Sequence, residues 1–85
     1  MSKERQLIQE GILSGMFGQY VEAIKWLDRA LEINPQNADA WHLKGINLHL
    51  LGRHDEAKKC YDKILEINPQ NAEARSGKGG AGRGR

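Results

Sequence analysis

The sequence predicts an all-α protein made of two helix-turn-helix repeats, with four helices in total. The first observation is an internal repetition, because residues 31–40 return at 65–74 with nine of ten positions identical. The second is that the offset of 34 residues extends over two whole units, 4–37 and 38–71, which share 14 identical positions. The third is apolar spacing of three and four residues, which indicates amphipathic helices. A fixed period of this length is typical of stacked helical hairpins that bury their apolar faces on each other.

The predicted helices follow from signals at their ends. Gly18 and Gly52 close the first helix of each unit, because glycine readily adopts the left-handed conformation that ends a helix. Pro35 and Pro69 stop the second helix, since proline disfavours the α conformation in the residue before it. Asn37 is a candidate N-cap for the next helix, and Asn71 would cap a third. The helices are therefore predicted at 5–17, 20–33, 39–51 and 54–67.

Small residues inside the predicted helices indicate where two helices approach closely. In the second unit these are Gly45 and Ala57, with Trp41 and Tyr61 beside them. Trp41, Gly45, Leu48 and Leu51 share one helical face, as do Ala57, Tyr61, Ile64 and Leu65. The first unit has Gly11 and Ala23 at the small positions and Leu7 and Leu27 at the large ones.

Charge is distributed unevenly along the chain. The net charge is +2 and the four cations of residues 75–85 contribute +4, so residues 1–74 carry −2. The segment 75–85 also has five glycines, and each interior glycine costs a helix about 1 kcal/mol relative to alanine. A third repeat begins at residues 72–74 and is not continued. We therefore expect 72–85 to be an aborted repeat followed by a disordered tail.

Composition excludes several classes of protein. Cys60 is the single cysteine, so the chain forms no internal disulfide. Residues 1–6 lead into no apolar signal core, and no apolar run approaches the roughly 18 residues that span a bilayer. These observations predict a cytoplasmic protein with no membrane partner.

The residue pattern resembles the tetratricopeptide repeat (TPR) family, whose period is 34 residues. The matching positions are Trp41, Gly45, Leu48, Gly52, Ala57, Tyr61 and Pro69. The first unit departs from the pattern at Leu7 and Ser14, but keeps Gly11, Ala23 and Pro35. The resemblance implies hairpins stacked in a right-handed α-solenoid. It also implies that the first helix of each repeat lines a concave groove that binds peptides or partner helices.

The resemblance assigns candidate groove residues in both units. Those of the first are Arg5, Ile8, Gln9, Ile12, Gly15 and Met16, and those of the second are Asp39, His42, Leu43, Ile46, His49 and Leu50. Periodicity independently gives the predicted helix 39–51 a second apolar side at Leu43, Ile46 and Leu50. We predict that a peptide or helix is buried on Ile8, Ile12, Ile46 and Leu50, with Arg5, His42 and His49 setting its orientation. Alternatively, this side packs on neighbouring repeats or on a second copy.

One subset of the family clamps the carboxylate of chaperone tails with lysine, arginine and asparagine. The corresponding positions here hold Ile8, Ile12, Leu43, Glu73 and Gly77, so none matches. Without cations at these positions, a carboxylate ligand is disfavoured.

No catalytic, metal or cofactor site is predicted. His42 and His49 lie about 10 Å apart along a helix at 1.5 Å per residue, too far to chelate one ion alone. Cys60 has no CxxC partner and is interpreted as a structural thiol, and Trp26, at the same repeat position, as a packing residue. His54 is interpreted as a packing or capping residue. No nucleophile and base are recognisable, so the chain is predicted not to be an enzyme.

Two alternative functions stay open. The helix 54–67 ends the array without a polar cover, so a homodimer could form through it, with or without exchange of helices. The Gly/Arg-rich tail resembles segments that contact RNA through charge, although a truncated repeat protein explains it as well. The sequence does not identify the protein or peptide partner.

Overall fold

The computed structural model describes residues 2–69, which form four helices. They are α1 (Lys3–Met16), α2 (Tyr20–Ile33), α3 (Ala38–Leu50) and α4 (His54–Ile67). α1 packs on α2 and α3 on α4, and the two hairpins stack through α2 and α3. The predicted all-α repeat fold is confirmed. The repeat boundaries at 4–37 and 38–71 stay predictions, and the tail 72–85 with Asn71 lies outside the described residues.

The helix ends show why the predicted bounds hold for α2 and α4 and shift for α1 and α3. Ser2 caps α1 by accepting a hydrogen bond from the Arg5 amide at 3.1 Å, so α1 begins two residues earlier than predicted. Asn37 accepts one from the Ala40 amide at 3.0 Å, which confirms it as the cap of α3. Gly18 and Gly52 have φ of 77° and 83°, so they end the first helix of each hairpin as expected.

Each hairpin is held by one large side chain that lies against a glycine. A Cβ atom added to Gly11 would lie 2.9 Å from Cδ2 of Leu27, a side chain with no exposed surface. A Cβ added to Gly45 would lie 2.6 Å from Cε1 of Tyr61. Such distances leave no room for a methyl group, so these glycines set the helix separation in both hairpins.

The interface between the hairpins combines an apolar cluster with an ion pair. Ile24 of α2 packs against the buried cluster of Leu48, Ala57 and Cys60 in the second hairpin. Beside it, Nζ of Lys44 lies 2.7 Å from Oδ1 of Asp28. This interface fixes how α3 lies relative to α1, and therefore the shape of any groove between them.

A second contact brings α1 close to α3. A Cβ at Gly15 would lie 3.0 Å from Oδ1 of Asn47, a buried side chain whose Nδ2 donates to the Leu43 carbonyl oxygen at 2.8 Å. Gly15, a predicted groove residue, thus lies against α3.

We predict that Gly11→Ala lowers the free energy of unfolding by up to about 2 kcal/mol. The added methyl group overpacks the buried Leu27 at a cost of about 1–3 kcal/mol, and alanine offsets roughly 1 kcal/mol of this through its higher helix propensity. Urea denaturation followed by circular dichroism measures the change. Gln9→Ala, on the exposed side of the same helix, is the control. A Gly11→Ala variant as stable as Gln9→Ala would contradict the close contact.

We also predict that Cys60 makes the free energy of unfolding fall as the pH rises above about 9. Burial raises the pKa of this thiol above its ordinary value of 9.0, so the folded protein retains a proton that the unfolded chain loses. Burial also raises the pKa of Tyr61, whose ordinary value is 10.0. A change in stability below about pH 9.5 is therefore due to Cys60 rather than Tyr61. Unfolding free energies measured from pH 8 to 9.5 should decline less in Cys60→Ala. Equal slopes in the two proteins would exclude this contribution.

Candidate binding groove

A depression of about 420 Å³ lies where the N-terminal parts of α1 and α3 meet. Its lining includes five of the predicted groove residues, namely Arg5, Ile8, Gln9, Ile12 and Asp39. It also includes Ser2, Glu4 and Asn37, which were not predicted to line the groove. The register of the repeats therefore brings part of the predicted set into one concavity.

Glu4 connects the start of α1 to the turn between α2 and α3. Its Oε2 accepts hydrogen bonds from the side-chain amides of Asn34, at 3.0 Å, and of Asn37. Asn37 also caps α3, so one side chain holds both the carboxylate and the first turn of α3. The carboxylate thereby fixes one wall of the depression.

The same turn is fixed from the other side by Trp41. Its Nε1 donates to the Pro35 carbonyl oxygen at 2.8 Å, while its ring packs against the core of the second hairpin. The segment 34–37 thus ends α2 at Asn34, caps α3 through Asn37 and orients α3 beside the depression.

The depression offers aliphatic surface between opposite charges. Ile8 is half-buried and Ile12 is 42 % exposed, while Arg5 and Asp39 are exposed on α1 and α3. This arrangement suits a ligand with an apolar side chain flanked by polar or charged groups of both signs.

The remaining predicted residues lie outside this depression. On α3, Leu43 is half-buried, whereas Ile46 and Leu50 are 38 % and 55 % exposed. Met16, at the end of α1, is also exposed. Aliphatic surface is therefore present beyond the depression, on the same two helices.

The two predicted groove histidines have partners on α4. The His42 ring meets Tyr61 edge-on, with centroids 6.1 Å apart. The His49 and His54 rings lie with their Nδ1 atoms 2.9 Å apart, so one nitrogen donates and the other accepts. Of the two roles predicted for His54, packing or capping, the structure shows a ring contact with His49, while Arg53 is the N-cap residue of α4.

A comparison with protein families identifies the fold. The family model for the tetratricopeptide repeat matches residues 16–79, which is more than half of the chain. The chain belongs to the tetratricopeptide repeat family. A comparison with curated proteins finds none that matches this TPR chain. TPR repeats generally mediate protein–protein interaction and are typically non-catalytic.

Within residues 2–69 of the TPR chain, no three or more His, Cys, Asp or Glu side chains come together in a way that could hold a metal ion. None of the four helices has both the length and the apolar character that a membrane span requires. The cytoplasmic location stays a prediction from the sequence.

We predict that Glu4→Ala destabilises this TPR domain by about 1–3 kcal/mol, because two amide donors lose a charged acceptor. The lost favourable charge near the N-terminus of α1 contributes to this change. Glu10→Ala, on the same helix and exposed, is the matched control. Thermal unfolding measured by circular dichroism compares the two. Equal effects would show that the contacts of Glu4 with the Asn34 and Asn37 amides add no stability.

Proposed function

We propose that this TPR protein binds an extended or helical segment of a partner protein on the groove formed by α1 and α3. The observation that carries the proposal is the aliphatic surface that these helices leave open. Ile12, Ile46 and Leu50 are each between 38 % and 55 % exposed, although their helices are packed on other sides. Open apolar surface of this kind is typical of interaction sites.

The depression supports a defined place for one ligand side chain. Ile8 and Ile12 supply its apolar surface, and the hydrogen bonds of Glu4 hold the adjoining wall. Covering a half-exposed aliphatic side chain contributes about 1 kcal/mol. A micromolar Kd corresponds to about 8 kcal/mol net, after the entropic cost of association, so a ligand that covers only a few such side chains binds weakly and tighter binding requires further contacts along the groove.

The chemistry of the groove favours an apolar ligand over an acidic one. Ile8, Ile12 and Leu43 hold positions where the carboxylate-binding subset of the family has polar or cationic side chains, and aliphatic groups offer no hydrogen bond to a carboxylate. Arg5 and Asp39 at the depression can orient a ligand that carries charges of both signs. His42 and His49 add polar contacts farther along α3.

The alternative of self-assembly through α4 has weaker support. Among the described residues, the most exposed large apolar side chains lie on α1, α2 and α3 and at Phe17, directly after α1. Ile64, Leu65 and Ile67 of α4 are half-buried. The alternative of RNA contact depends on the tail, which lies outside the described residues.

We predict that Ile46→Glu weakens ligand binding at least tenfold while the domain stays folded, because a buried carboxylate replaces an apolar contact. The probe is a peptide selected from a random phage-displayed library on the intact chain. Its Kd is measured by fluorescence titration, and circular dichroism checks the fold.

Ile33→Glu is the matched control, since Ile33 is also half-exposed but lies at the end of α2. Selected peptides should be rich in apolar residues, and an acidic peptide with a free C-terminal carboxylate should not bind. Unchanged affinity in Ile46→Glu, or an equal loss in Ile33→Glu, would place the ligand elsewhere.

A further inference from the structure

A second apolar surface lies on the first hairpin, away from the groove. It follows Gln6 and Leu13 of α1 and Phe17, the C-cap residue of α1, and continues to Trp26 of α2, with Gln6 as its polar member. We call these four residues the head face. Leu13 is 51 % and Phe17 76 % exposed, Gln6 is exposed and Trp26 is half-buried. None of the four belongs to the predicted groove or lines the depression.

The repeat shows what kind of surface covers this stripe. The residues 34 positions later are Ala40, Asn47, Leu51 and Cys60. Ala40 has no exposed surface, Asn47 is 6 % and Cys60 3 % exposed, and Leu51 is half-buried. Cys60 belongs to the cluster that Ile24 of the first hairpin covers, and Asn47 lies against Gly15. The same stripe is thus a helix-packing surface in the second hairpin and stays open in the first.

The second hairpin of another copy would cover the head face poorly. In the interface between the hairpins, Asp28 pairs with Lys44. In head-to-tail stacking, the second hairpin of one copy would pack on the first hairpin of another. The residues equivalent to this pair would then be Asp62 and Glu10, which repel each other. Ile24, which packs on the apolar cluster, is replaced at the equivalent position by Lys58. Head-to-tail stacking therefore loses both the ion pair and the Ile24 contact of the interface between the hairpins.

A second head face avoids this mismatch. We propose that two copies of the chain associate through their head faces about a two-fold axis, so that Leu13, Phe17 and Trp26 of each copy cover those of the other. A two-fold interface uses the same surface on both copies and closes at the dimer. Glu10 on α1 and Arg29, whose guanidinium lies 5.2 Å from the Trp26 ring centre, carry opposite charges at this surface. The two-fold arrangement allows Glu10 of each copy to face Arg29 of the other copy across the interface.

The size of the head face indicates a weak dimer. It offers few large side chains per copy, fewer than the roughly 20–30 residues a side of a standard protein–protein interface. A dissociation constant on the order of micromolar or weaker is expected. The association should therefore depend visibly on protein concentration.

Sedimentation velocity of the intact 85-residue chain tests the proposal over protein concentrations from low micromolar to near millimolar. The expected result is a monomer–dimer equilibrium without larger species. Phe17→Glu should weaken dimerisation at least tenfold, because it buries two carboxylates against apolar rings. Phe17 is so exposed that its replacement should leave the fold intact, as checked by circular dichroism.

Leu50→Glu is the control, because Leu50, like Phe17, is a large exposed apolar residue but lies on α3 in the proposed groove. It should leave dimerisation unchanged and weaken peptide binding, whereas Phe17→Glu should do the reverse. A monomer at every concentration overturns the proposal and leaves residues 70–85 or another protein to cover the head face. Species larger than a dimer, or a dimer unaffected by Phe17→Glu, also overturn it, because they require a different surface.

Discussion

The structure depends on the absence of a side chain at two positions, Gly11 and Gly45. Each glycine lets a large side chain of the next helix, Leu27 or Tyr61, lie almost on the helix backbone. This contact sets the separation of the helices within a hairpin. The closely packed hairpins then stack through the ion pair of Asp28 with Lys44 and the packing of Ile24. The groove is the space that remains between α1 and α3 once these contacts are made.

The two hairpins are alike in backbone and differ in the contacts that matter for function. The segment Asn-Pro-Gln-Asn occurs in both, but in the first its two asparagines bind the Glu4 carboxylate. The position equivalent to Glu4 in the second unit is Ala38, which cannot accept such bonds. The carboxylate that holds one wall of the depression therefore comes from a position that differs between the two units. A repeated sequence fixes where helices begin and end, and non-repeated residues decide what each surface can bind.

This distinction explains what the sequence could and could not predict. Helix type and most bounds follow from local signals, since glycine conformation, proline and apolar spacing act within a few residues. Five groove residues share one depression because the repeat register places them on the same helix faces. The role of Glu4 was missed because it depends on the distance between side chains 30 and 33 positions apart. The contact of His49 with His54 was missed because periodicity within one helix carries no information about a side chain beyond the next turn.

α1 contributes to both proposed surfaces through neighbouring stripes of the same helix. Ile8 and Ile12 border the depression, while Leu13 and Phe17 lie on the head face. Successive helical residues point about 100° apart at 3.6 residues per turn, so covering one stripe leaves the next accessible. A dimer formed through the head faces would consequently keep both grooves open. A ligand with two apolar segments could then occupy both grooves of one dimer, and the second contact would form at a high effective concentration. In this arrangement, two weak grooves on a small scaffold hold a divalent partner more tightly than either groove does alone.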